Sequence, residues 1–234
     1  MNKKKLLPII LFISLILLMA YLPYIPLKIF KINLATFSKN SLILYNFICD
    51  LIYMLIIFLI YRKDLIKDFK DIKNNFRKIF ELSLKYYFIG LLLMIVTNLL
   101  ISFIFTSANA NNEEMIREYI DLYPLYMIFS ISIYAPFTEE IIFRKAIYNC
   151  FIPYKQNNFI KYFYIITSGV IFASMHVVGL SDNIIDYIYI IPYLSLGISF
   201  ALLYHKTNNI FSTISMHFIH NTTTLIMYLM AGVI

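Results

Sequence analysis

This sequence predicts an all-α fold: a polytopic transmembrane helical bundle of seven or eight spans with one amphipathic interfacial helix. Three observations carry that expectation. Of 234 residues, 61% are hydrophobic and 14% charged, against roughly 45–50% and about 25% in soluble domains. The apolar residues come in long runs; crossing a hydrocarbon core of about 30 Å takes roughly 20 helical residues. The charged residues gather between those runs. No strand-like alternation accompanies them, so helices are the way to pair every backbone polar group in lipid.

The first run opens on Lys3, Lys4 and Lys5 and continues from Leu6 to about residue 24. A secretory signal begins this way, but the run is long for one. Met19-Ala20-Tyr21-Leu22-Pro23 also offers no small-x-small cleavage site, so a retained span is expected. Further runs cover 42–61, 86–106, 122–143, 160–179, 186–204 and 209–233. Between the second and third lies a polar segment, 62–85, in which Leu65, Phe69, Ile72, Phe76 and Ile79 recur at spacings of three and four. That is one apolar helical face, with Lys and Asp opposite, fit to lie among lipid headgroups. No repeat or linker divides the chain, so residues 1–234 read as a single membrane domain.

Charge sets the orientation. Segment 62–85 carries Arg62, Lys63, Lys67, Lys70, Lys73, Arg77, Lys78 and Lys85, whereas 107–121 carries Arg117 against Glu113, Glu114, Glu118 and Asp121. The first is expected in the cytoplasm and the second outside, which places the N-terminus in the cytoplasm of a multi-pass cell-membrane protein. Lys28, Lys31 and Lys39 run against this scheme, and a break at Pro136 or an extra span would reverse its C-terminal part. The net charge of +7 follows from these flanking bases and points to the lipid bilayer, not to nucleic acid. Cys49 and Cys150 are far apart and indicate no disulfide framework.

Ionisable groups within spans are costly, so they are usually partnered or functional. Three clusters qualify. In Pro136-Phe137-Thr138-Glu139-Glu140-Ile141-Ile142-Phe143-Arg144, the adjacent carboxylates point about 100° apart on a helix. Arg144 shares the face of Glu140. One acid is thereby held ionised while the other keeps a different environment, which is how two carboxylates acquire separate roles. The same charges also suit the plain end of a span. The second cluster is Phe172 with His176, and a lone His there also suits ordinary packing. The third is His217, His220 and Asn221, equally compatible with a hydrogen-bonded helix contact. Together they are sufficient for water-mediated peptide hydrolysis: a carboxylate and an imidazole to deprotonate water, and a His and an Asn to bind an oxyanion. The set could also hold a divalent metal such as zinc. No H-E-x-x-H or G-x-S-x-G motif is present.

Glu139-Glu140-x-x-x-Arg144, Phe172-x-x-x-His176 and His217-x-x-x-Asn221, in this order on successive spans, resemble the three motifs of the CPBP (CAAX protease and bacteriocin-processing, or Abi) intramembrane peptidases. The type II CAAX prenyl proteases belong to that group. Pro136 before the acid pair and the run Gly197–Ile210 are similar as well, and the resemblance covers about 120–225. It implies that Glu139 is the base activating water, helped by His176, and that Glu140 pairs with Arg144. His217 and Asn221 would form the oxyanion pocket. Any metal would fall to Glu139, His176 and His217, and the family is described both with and without a firmly bound one. The implied partner is a peptide or protein substrate in the membrane. Leader processing of a secreted peptide, or bacteriocin immunity, fits better than processing of prenylated proteins. A non-catalytic immunity or assembly protein, or a small transporter, is the alternative. The oligomeric state is not set by the sequence.

Two spacings need structural resolution. With the fourth run ending at 143, Glu139 sits near one membrane face and His176 near the other, unless the helix continues to about Cys150 and stops before Pro153. Asp50 and Asn98, mid-run and outside the motifs, are expected to pair across helices.

Overall fold

The structure is a computed structural model that describes residues 3–105, 111–151, 158–180 and 184–231. Eight α-helices make up the described fold. They are α1 (Lys3–Tyr21), α2 (Tyr24–Ile29), α3 (Lys39–Phe105), α4 (Asn111–Leu122), α5 (Pro124–Phe151), α6 (Asn158–Met175), α7 (Ile190–Thr207) and α8 (Ile210–Ala231). Among the described residues no strand occurs.

The largest departure from expectation is α3. The second span, the polar segment and the third span form one run of 67 residues made of two helical arms that meet at a kink at Asn75, where φ is −124° and ψ 23°. Lys, Arg, Asp and Phe over 62–85 do not break a helix, and no Pro or Gly intervenes. The break makes α3 a V. Its first arm runs alongside α5, pairing Asp50 with Tyr126 and Asp64 with Lys145. Its second arm runs antiparallel to α7, with Tyr87 beside Phe200 and Ile101 beside Tyr189. The expected headgroup face is also only partly right. Phe69 and Phe76 are exposed and Leu65 and Ile79 buried. Asp68, expected on the polar face, is buried because it meets the start of α8.

Four helical units are long and apolar enough to cross a membrane: α3, α5, α6 and Asp186–Thr207, the last being α7 with its 3-10 lead-in. Counting the two arms of α3 separately, and adding the shorter apolar α1 and the long but more polar α8, gives seven apolar helical segments among the described residues. Large apolar side chains such as Leu92, Phe103 and Leu125 are exposed on the outside of the bundle, as lipid-facing positions are and water-facing ones rarely are. Segment 107–121, expected as an external connection, contains the acidic helix α4.

The interior is tight. A Cβ on Gly197 of α7 would lie 3.0 Å from the carbonyl oxygen of Gly169 on α6, so these two helices meet backbone to backbone. Small residues permit that approach in membranes. Tyr53, Ile57, Ile141, Ile142, Tyr164, Ala201 and Tyr204 close the main core around α5.

α5 continues to Phe151, which settles the first spacing in favour of the longer helix; Pro153 lies outside the described residues. Two π-helical turns, Ser130–Tyr134 and Ile141–Ala146, bracket the acid pair. Widened turns of this kind recur at functional sites. Asp50 accepts a hydrogen bond from Tyr126 at 2.9 Å, as expected of a pairing across helices. Asn98 is half-buried on the second arm of α3, and no described residue pairs with it.

Candidate active site

The acid pair sits mid-helix on α5, and its two members face different surroundings. Glu140 is fully buried. Arg144, one turn on and equally buried, grips it with Nε at 3.0 Å from Oε2 and Nη2 at 3.3 Å from Oε1. The bidentate geometry suits a desolvated pair. Arg144 Nη1 donates to Ser168 Oγ at 3.1 Å, and the guanidinium lies 4.6 Å from the Phe172 ring centroid. Ser168 in turn donates to the Phe143 carbonyl at 2.6 Å. A buried cation is thus satisfied on every side by α5 and α6.

His217 of α8 completes this sealed group. Its Nδ1 lies 3.0 Å from Glu140 Oε1. Glu140 is ionised by Arg144, so Nδ1 carries the hydrogen and Nε2 is turned the other way. There it approaches Glu139 Oε2 at 4.0 Å.

Glu139 is 21% exposed. Its Oε2 has no hydrogen-bond partner among the described residues. His176, in the turn after α6, brings its Nε2 to 3.9 Å from the same oxygen. His176 Nδ1 is committed to the Phe172 carbonyl at 2.9 Å, an oxygen that can only accept. Its Nε2 therefore faces Glu139 with a lone pair. The ring is held between Phe172 and Tyr193, with centroids at 4.6 and 4.7 Å. Asn112 of α4 donates to Tyr193 Oη at 3.3 Å.

One carboxylate oxygen and two imidazole nitrogens therefore converge at separations too long for a direct hydrogen bond and short enough to share one small occupant. The carboxylate oxygen at this meeting point is itself buried. A divalent cation needs donors roughly 3.3 Å apart for a tetrahedral zinc site with bonds of about 2.0–2.1 Å. As placed, no three His, Cys, Asp or Glu side chains among the described residues form a metal group. Glu139, His176 and His217 are the residues that would hold such an ion.

Five of the six expected residues thus fall together: Glu139, Glu140, Arg144, His176 and His217. Asn221 is one turn beyond His217, but its Nδ2 donates to the Ile131 carbonyl of α5 at 2.9 Å. His220 turns away and meets the edge of the Tyr87 ring at 6.1 Å. Three supporting residues were not anticipated: Ser168, Tyr193 and Asn112. Ser168, Phe172 and His176 stand at i, i+4 and i+8, so a shared face running from α6 into its following turn was there to be read. The Asn112–Tyr193 contact joins residues 81 apart and leaves no local trace.

A bundle of apolar helices thus gathers acids and imidazoles at one site between α5, α6 and α8. Comparison with known proteins adds to this. Residues 121–223 match the family model "Type II CAAX prenyl endopeptidase Rce1-like". This segment is similar to that family, and it contains every site residue just described except Asn112. A Bacillus subtilis (strain 168) protein, YdiL, described provisionally as a membrane peptidase, is 36% identical over 120 residues. That match covers 51% of this chain and 44% of the relative, so the chain spans under half the length of the protein it resembles. No solved structure matches.

Proposed function

We propose that the protein is an intramembrane endopeptidase that hydrolyses a peptide bond in a membrane-associated peptide or protein. The observation that carries this reading is the convergence of Glu139 Oε2 with the Nε2 atoms of His176 and His217.

In this reading Glu139 takes the proton of a water held against its free oxygen, and His176 Nε2 accepts a second hydrogen bond from the same water. The hydroxide equivalent attacks the scissile carbonyl. His217, braced at Nδ1 by Glu140, presents Nε2 to the same space and donates to the oxyanion when that nitrogen also carries a proton. Glu139 then returns the proton to the leaving amine. Glu140 and Arg144 do no bond-making; they hold His217 in register and keep its charge balanced. Were a divalent cation held by Glu139, His176 and His217, it would supply Lewis-acid polarisation of the water and carbonyl.

The matched family favours a membrane-embedded substrate, and the protein acts within the lipid bilayer of a multi-pass architecture with the N-terminus in the cytoplasm. Comparative peptide profiling of membranes with wild-type protein and with Glu139→Gln tests the reading. Peptides released only by the wild type are expected. Identical profiles at equal protein levels would end the peptidase assignment.

A further inference from the structure

The hydrogen bond from Asn221 to the Ile131 carbonyl has a cause in the sequence. In the π-helical turn Ser130–Tyr134, N–H groups bond five residues back, as Ala135 N–H does to Ser130 O. The next bond in that series would run from residue 136 to the Ile131 carbonyl. Residue 136 is Pro136, which has no N–H to give. Ile131 O is left without the intrahelical donor of its turn, on a helix inside the membrane, where a carbonyl without a partner is costly. Asn221 Nδ2 occupies that place at 2.9 Å. Its helix is α8, and one turn earlier on the same face His217 meets Glu140 at 3.0 Å. Thr213, His217 and Asn221 form an i, i+4, i+8 stripe against α5.

We infer that Asn221 is a positioning residue whose carboxamide replaces the N–H that Pro136 lacks, and so locks α8 onto α5 in the register that delivers His217 to Glu140. The oxyanion role expected of Asn221 is then secondary. Its acceptor is a backbone oxygen of α5, and the partner that makes it necessary is a proline five residues along the same helix. Pro136 and Asn221 act as one unit: the proline opens the helix ahead of the acid pair, and the asparagine closes the opening from the neighbouring helix.

The inference rests on the peptidase reading only in its activity arm. Wild type, Asn221→Ala, Pro136→Ala and the double variant are compared by thermal unfolding midpoint in detergent and by the amount of Glu139-dependent peptide in membrane profiles. Asn221→Ala should lower the midpoint and the peptide yield. Pro136→Ala returns an N–H to position 136, so the double variant should regain more than half of both losses. If Asn221→Ala cannot be recovered folded, folded recovery of the double variant is the expected rescue, and its failure overturns the inference. Additive losses in the double variant overturn it. So does an unchanged midpoint in Asn221→Ala with peptide lost in both variants, the signature of an oxyanion donor. Should no Glu139-dependent peptide exist, the peptidase reading falls and the midpoints alone still decide this one.

Discussion

Glu139 and Glu140 are adjacent residues on one helix, yet they occupy opposite kinds of space. The Glu140 side of α5 is sealed: acid and Arg144 are both fully buried, and each hydrogen-bonding edge is matched by Ser168 or His217. The Glu139 side is open by a fifth of its side-chain surface and keeps one oxygen without a partner. The difference teaches that two charges in a membrane need two separate justifications. One is matched within the protein, and the other keeps a buried oxygen that no described residue matches by a hydrogen bond.

That contrast breaks most visibly on the sealed side. Glu140→Ala leaves Arg144 as an uncompensated buried cation and should destabilise the fold by about 3–5 kcal/mol. Reversible unfolding in mixed micelles would measure it. Glu140→Met with Arg144→Met, which removes both charges, should lose much less than the single variants, because no lone charge remains. Equal losses in the single and double variants would show that the pair is not self-contained.

A smaller effect is expected at the helix crossing beneath it. Gly197→Ala places a methyl 3.0 Å from Gly169 O and 3.1 Å from its Cα, where backbone cannot yield easily. A loss of about 1–3 kcal/mol from overpacking should follow, read in the same unfolding experiment. Gly179, with φ +81° but nothing near its Cβ position, offers a control in which conformation and not space sets the cost.

The smallest change belongs to the open side. Glu139→Gln removes no partner from the protein, so its stability should stay within about 1 kcal/mol of wild type. The sharper form of the comparison is therefore a pair of outcomes: Glu140 variants lose the fold, while Glu139→Gln keeps it and loses only the released peptides. A Glu139→Gln protein that unfolds as readily as Glu140→Ala would erase the distinction.

How much of this was legible in the chain depends on distance along it. The spans stood out because each apolar run is local. The acid pair with Arg144 was readable because i and i+4 share a helix face, and the same rule places His217 with Asn221. The joining of α3 was not foreseen: 62–85 reads as a separate amphipathic helix, and no local pattern says that it continues into the spans on either side. The burial of Asp68 depends on Ile210, 142 residues away. The partner of Asn221 was hidden for a different reason: its need arises from what Pro136 cannot do, and a missing donor has no signature of its own.

Asp68 carries a consequence for anyone who would dissect the molecule. Its carboxylate receives the first N–H of α8 at 3.1 Å, and its carbonyl receives the buried Asn209 carboxamide at 2.7 Å. Both acceptors lie outside the 121–223 segment that matches the family. A truncated chain or a chimera made by transplanting that segment alone would thus carry the motif helices but strip the leading end of the last one of its foreign cap. The N-terminal half holds the start of the last motif helix, so the folded unit extends beyond the recognisable motifs.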